Sequence, residues 1–227
     1  MSHALLQSFE FAQKKSIELL KSIYSQLKEG FVLSDIQSII GSSALKIGSS
    51  GWLRPPLVRI FPKDTSIKKG SLIQIHIQPI FGDAFGSIGT THAFQSEDTD
   101  IIEKARALCL ATTTFANRWK CTGELFVFAQ SWCTNHRVTL EHKKNIGHRC
   151  FSRSEIPLLW PQSARAMSML RRHQVQWFNP RRFQGIFAVH PFISRHEQFA
   201  GFAELLYVED ENKSIIGRSC LEEIGSL

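Results

Sequence analysis

The stretch SLIQIHIQPI, residues 71–80, constrains the fold of this chain more than any other. Ile73, Ile75 and Ile77 alternate with Gln74, His76 and Gln78, a period of two that gives an extended chain one apolar and one polar face. The apolar face requires a covering layer. The polar face, with an imidazole at its centre, requires different surroundings. Amphipathic helices for the cover precede the strand. Residues 4–29 place Leu5, Phe9, Ala12, Ile17, Leu20, Ile23 and Leu27 near helical spacing, and Gly30 stops that helix. Ser34-Asp35 starts a second helix through about Ile47, with Ile36, Ile40 and Ile47 on one face. GSSGWLRPP reads as a loop, LVRIFP as a short strand, KDTSIKKG as a turn, and Gly89–Phe94 as a further strand. SEDTD caps a helix over about 99–119, and 123–133 is read as another short helix. Strands are expected around 136–151, 184–193, 199–208 and 214–218. Two helices, a hairpin, two helices and more antiparallel strands indicate an α+β class, with residues 1–227 as a single domain.

Composition excludes several function classes. A chain of 227 residues that is 43% hydrophobic can bury a sizeable core. Its apolar runs are far too short for a membrane span, and MSHALLQSFEFAQKK lacks the basic-then-apolar order of a secretory leader. Five cysteines, an odd number without a CxxC pair, fit a reducing, cytoplasmic setting. The net charge is +7, much of it from Arg153, Arg165, Arg171, Arg172, Arg181 and Arg182 in the 153–182 segment. Such a surface can meet nucleic acid, an anionic ligand or an acidic partner; no nucleic-acid motif accompanies it, so a solvated basic face ranks higher. No phosphate-binding glycine loop, nucleophile elbow or nucleotide fingerprint is present.

Several short strings occur in an order that carries a resemblance. Lys69-Gly70-Ser71 leads into His76-Ile77-Gln78-Pro79, then come Ser87-Ile88-Gly89-Thr90-Thr91, Gly147-His148, Glu155-Ile156-Pro157 and Val189-His190-Pro191. This order resembles the methionine aminopeptidase/prolidase/creatinase superfamily from about residue 8 to 217. The resemblance implies the pita-bread fold, a curved antiparallel sheet covered by helices. Peptidase members of that superfamily hold two metal ions with two Asp, one His and two Glu. Carried over position by position, the set becomes His76, Ser87, His148, His190 and Ala203, with Glu204 next to Ala203. Both bridging carboxylates are lost. The substrate-side histidines of the family fall on Arg59 and Ser154. A dinuclear hydrolase needs bridging oxygens to hold two cations a few ångströms apart, so the resemblance implies a protein that is no longer an aminopeptidase.

What replaces the carboxylates is informative. Two terminal ligands become histidine in a chain with only nine of them, and the third is already histidine. His76, His148 and His190 are therefore the expected ligands of one divalent transition ion, iron(II) slightly ahead of zinc or copper. Open positions on such an ion suit oxidoreductase chemistry on a small polar or anionic substrate. Arg59, Glu155 and Glu204 are the candidate catalytic residues, Arg59 through bidentate capture of a carboxylate. Ala203 and Glu204 cannot both face the pocket, because neighbours on a strand point to opposite sides. The competing reading is a pocket whose polar groups satisfy one another, on a scaffold that binds protein or nucleic acid through the basic 153–182 surface. The expected partners are a small-molecule substrate and a second copy of the chain in a homodimer; nucleic acid ranks low and a membrane is excluded.

Overall fold

The computed structural model describes residues 3–62, 66–97, 99–141, 146–152, 174–176, 179–209 and 212–216. Its first half runs α1 (His3–Tyr24), α2 (Leu33–Lys46), β1 (Gly51–Trp52), β2 (Leu57–Phe61), β3 (Leu72–Ile77), β4 (Pro79–Phe81), β5 (Ala84–Phe85) and β6 (Ile88–Ala93). Two helices follow, α3 (Asp100–Phe115) and α4 (Thr122–Asn135). The second half adds β7 (Thr139–Leu140), β8 (Gly147–Arg149), β9 (Gly185–Val189), β10 (Phe192–Arg195), β11 (Gln198–Gly201), β12 (Glu204–Glu209) and β13 (Asn212–Ile215). All pairings between these strands are antiparallel. The α+β reading holds.

The alternation in 71–80 explains the first half. Ile73, Ile75 and Ile77 are fully buried against Ile17, Leu20 and Ile23 of α1 and Ile36 and Ile40 of α2. Each such side chain contributes about 1.5–3 kcal/mol of burial free energy. The strand breaks at Gln78, and the chain enters a second small sheet ordered β1–β4–β5. The main sheet of this half is ordered β2–β3–β6. In the second half, α3 and α4 bury Ile101, Leu108, Leu125 and Ala129 against Phe187, Val189 and Leu206. Their sheets are ordered β13–β12–β9–β8 and β11–β10–β7.

The two halves are joined by backbone. Ala203 N–H donates to the Gly89 carbonyl at 2.8 Å, an antiparallel bridge between β6 and the start of β12. Thr91 Oγ1 adds a second tie by accepting from Gly201 N–H at 3.0 Å.

Several expected boundaries move for local reasons. The first helix stops at Tyr24; one more turn carries Leu27 into the core, and Gly30, at φ +85°, donates to the Ile67 carbonyl at 2.8 Å. The second helix starts at Leu33 because Asp35, inside its first turn, accepts from Val32 N–H at 2.9 Å, so Ser34 is not the cap. The 99–119 helix ends at Phe115. The 136–151 region yields only the two short strands β7 and β8. No described helix is long and apolar enough to cross a membrane.

Candidate functional site

Strand register decides which side chains share the polar face. Leu57, His76 and Gly89 are directly opposite one another across β2, β3 and β6, and Ala203 bridges to Gly89. Directly paired residues point to the same side, so this row puts Ala203 on the face of His76. Glu204 pairs instead with Val189, which pairs with Gly147. His148 pairs with Ala188 and Ala188 with Leu205, the other face of that sheet. Glu204 is fully buried on the side of α3, where its charge reaches Cys109. Of the two alternatives left by the sequence, Ala203 takes the pocket side and Glu204 turns away from His148.

His148 is held by its glycine. A Cβ on Gly147 would lie 2.3 Å from the Ala188 carbonyl oxygen, so only glycine lets β8 approach β9 at that point. His190 follows the end of β9, two residues past Ala188, and its N–H donates to the Ile146 carbonyl at 2.7 Å. The three imidazoles therefore gather although they are far apart in the chain. Ring centroids of His76 and His190 are 5.2 Å apart, and those of His148 and His190 are 5.9 Å apart. Phe192 closes one side, 5.6 Å from His76 and 5.8 Å from His190, and Phe85 lies 6.4 Å from His148.

Ser87 and Gln78 knit the cluster together. Gln78 Nε2 donates to Ser87 Oγ at 3.1 Å, and Ser87 Oγ lies 3.4 Å from His76 Nε2. Gln78 Nε2 is also 3.2 Å from His148 Nε2, and His148 Nδ1 is 3.2 Å from the Arg149 carbonyl. An amide nitrogen can only donate and a carbonyl can only accept. His148 therefore accepts at Nε2 and carries its proton on Nδ1. Burial pushes its pKa well below the usual imidazole value, and the positive charges of Arg54 and His190 push it further. From α1, Gln13 clamps Ser87, accepting from its N–H at 2.9 Å and donating to its carbonyl at 3.2 Å.

Beside this cluster is a cavity of about 220 Å³ lined by Arg54, Leu57, His76, Gln78, His190 and Phe192. No Asp or Glu is among the described residues lining it. Arg54 comes from the loop between β1 and β2, which the sequence marked only as Gly- and Pro-punctuated; nothing in the sequence shows that this loop lines a cavity with His76 and His190. Arg59, paired with Gln74, is on the sheet face of His76 but does not line the cavity: its guanidinium meets Glu141 at 3.4 Å and packs 5.6 Å from the Phe199 ring centroid. Cys150 is buried, with Sγ directed at the His148 carbonyl at 3.9 Å. Glu155 and the arginines at 153, 165, 171 and 172 lie outside the described residues. Arg182, from the same basic segment, donates to the Trp119 carbonyl at 3.1 Å.

The fold matches known coordinates. The X-Pro aminopeptidase of Thermotoga maritima MSB8 superposes with a TM-score of 0.76 at 13% identity, over 96% of this chain and 62% of that one. This is a pita-bread fold. Prolidase from Pyrococcus furiosus gives 0.73 at 10% identity, over 96% of this chain and 65% of that one. Methionine aminopeptidase from Thermotoga maritima gives 0.74 at 11% identity, over 96% and 98%. The chain thus spans somewhat under two thirds of the first two relatives and nearly all of the third. No protein-family profile and no curated protein sequence matches it. At such identities the pita-bread likeness extends to the fold alone.

A metal can be tested against the side chains in place. The two-ion centre implied by the resemblance needs several carboxylates, and no Asp or Glu is among the described residues lining the cavity. Among the described residues no group of three or more His, Cys, Asp or Glu is arranged to hold an ion. The Nε2 lone pair of His148, the one facing the cluster, is taken by Gln78.

Proposed function

We propose that this chain is a pita-bread protein that does not hydrolyse peptides and that uses its histidine-lined pocket to bind a small polar molecule. The observation that carries this reading is the pocket lining, where Arg54, His76, Gln78 and His190 stand without an acidic residue among the described ones. Peptide hydrolysis at a two-ion centre depends on carboxylates that both hold the ions and position the attacking hydroxide. With imidazole, amide and hydroxyl in their place, no hydrolytic step can be derived. The free thiols of Cys109, Cys121, Cys133 and Cys150 support a reducing, cytoplasmic setting. The test is an assay with Met-Ala-Ser and Ala-Pro peptides, with manganese, cobalt, zinc or iron(II) added in turn. The expected result is no release above an enzyme-free blank. Saturable turnover that is lost in His76→Ala would overturn the reading.

A second reading keeps one divalent transition ion on His76, His148 and His190, iron(II) ahead of zinc or copper. Ring spacing favours it, because two imidazoles sharing an ion at ~2.1 Å hold their ring centres ~5 Å apart, near the observed 5.2 and 5.9 Å. Such an ion would supply a Lewis acid or, as iron, a redox centre for a small polar or anionic substrate. It requires Gln78 to give up His148 Nε2. Elemental analysis of untagged protein separates the readings: a full equivalent of metal, lost in His190→Ala, supports the ion, and a trace amount supports the metal-free pocket.

A further inference from the structure

We propose that Arg54 is the anchor of a carboxylate subsite in this pocket, and that the ligand is a compact carboxylic acid carrying a hydroxyl or amine donor. The proposal rests on reading the pocket as a small-molecule site.

Three observations carry it. First, Arg54 lines the cavity and its Nε is buried, with no hydrogen-bond partner among the described residues; no carboxylate pairs with its guanidinium among them either. Arg54 as a whole is half-buried; guanidinium cannot discharge by losing a proton in a protein, so with Nε dehydrated and no carboxylate beside it the cation is only partly compensated by solvent. The side chains that share the lining, His76, Gln78, His190, Leu57 and Phe192, bring no carboxylate to it. An anion entering the cavity restores the balance. The planar fork of donors suits a carboxylate, which it can grip with two parallel hydrogen bonds.

Second, the cavity offers an acceptor as well as donors. Gln78 uses its Nε2 on Ser87 and His148, while its Oε1 is buried and has no hydrogen-bond partner among the described residues. Buried carbonyl oxygens are nearly always paired, and a ligand hydroxyl or amine would fill that place. An inorganic anion without a hydrogen satisfies Arg54 but leaves Gln78 Oε1 without a donor, and phosphate, which keeps a P–OH, has no carbon skeleton for the apolar walls of the cavity.

Third, the volume sets the size. About 220 Å³ falls below the ~300–1,000 Å³ of pockets that enclose drug-sized ligands. Pro55, directly after Arg54, and Leu57 and Phe192 supply apolar walls for a short carbon skeleton.

The test follows the Arg54 Nε–H resonance by proton–nitrogen NMR in full-length protein titrated to tens of millimolar. The probes are L-lactate, glycine, propionate, lactamide and inorganic phosphate. Saturable shifts with L-lactate or glycine are expected, with propionate weaker and no saturable response to lactamide or phosphate. Arg54→Gln is expected to weaken the L-lactate or glycine response, read from the His76 and His190 ring resonances, by at least about tenfold. Should that variant fail to fold, the wild-type comparison of lactate with lactamide still decides. Equal responses to lactate and lactamide, a phosphate response matching lactate, or no saturable response to any probe would each overturn the subsite. None of these touches the peptidase assay, so the subsite can fail while the non-peptidase reading stands.

Discussion

Gly89 sits directly across from His76 in the β3–β6 pair, and a Cβ added to it would lie 3.1–3.2 Å from three atoms of the His76 side chain. That distance is tighter than ordinary packing, so residue 89 sets how far the imidazole can lean over the sheet. Gly89→Ala is expected to push the ring into the cavity and to cost about 1–2 kcal/mol through overpacking. For a chain of this size the melting temperature should fall by roughly 2–8 °C. Thermal denaturation with His76 ring shifts measured alongside checks both parts. An unchanged melting point together with an unmoved ring would mean that the sheet yields instead.

Arg59 and Arg54 are separable by mutation. Arg59 pairs with Glu141 at 3.4 Å, with both side chains about a third exposed, and rests on Phe199. A pair of this kind is worth under about 1 kcal/mol, and the ring contact adds a similar amount at most. Arg59→Gln should lower the melting temperature by about 2–4 °C while leaving any ligand affinity within about twofold. A loss of ligand binding in Arg59→Gln equal to that in Arg54→Gln would assign the anchor wrongly.

The fold was legible in the sequence to a greater depth than the site. The isoleucine stripe of β3 and the helical spacing in α1 and α2 are repeated signals, and each copy constrains the same packing. The three histidines were identified through a family order of short strings, and the rings do lie near one another. What could not be read was orientation. Whether His148 Nε2 faces an ion or an amide depends on where Gln78 lands after the chain breaks out of β3, and that is set by sheet switching rather than by residue type. Arg54 is not legible in the sequence for a related reason. Loop residues carry no periodicity, so a guanidinium that shares a cavity with distant histidines leaves no pattern along the chain. The Ala203–Glu204 ambiguity is a question of a one-residue register, which the bridge to Gly89 and the pairing of Glu204 with Val189 resolve.

His148 makes stability depend on pH in a calculable direction. Its folded pKa is pushed well below the usual value, mainly by burial. Above about pH 6.5 it is neutral both folded and unfolded, so it contributes no slope. As pH falls below that value the unfolded chain gains a proton that the folded chain refuses, and the folded state loses ground until the folded pKa is reached. Between pH 7.5 and 5.5 the loss from this one group is on the order of 1 kcal/mol. His148→Gln should therefore show a smaller drop in melting temperature over that range than the parent, by roughly 2–4 °C. Parallel pH dependences in the two proteins would place the imidazole in a more solvated setting than the structure gives it.

The cysteines should differ sharply in reactivity. Cys133 is buried in the α3–α4 core, and burial pushes its pKa up to about 12. Cys109 is raised well above the usual thiol value, first by burial and then by the charge of Glu204. Cys121 is half-buried at the start of α4, where its sulfur accepts from the Glu124 N–H at 3.4 Å, and Glu124 in turn accepts from the Cys121 N–H at 2.7 Å. The thiolate is the reactive species, and a pKa near 12 leaves roughly a thousandfold less of it at neutral pH than an ordinary cysteine has. Iodoacetamide applied to native protein at neutral pH should therefore label Cys121 long before Cys133 or Cys109, as read by peptide mass mapping over time. Comparable labelling of Cys133 and Cys121 would require the α3–α4 core to open on the timescale of the reaction, and hydrogen exchange in α4 would then have to be correspondingly fast.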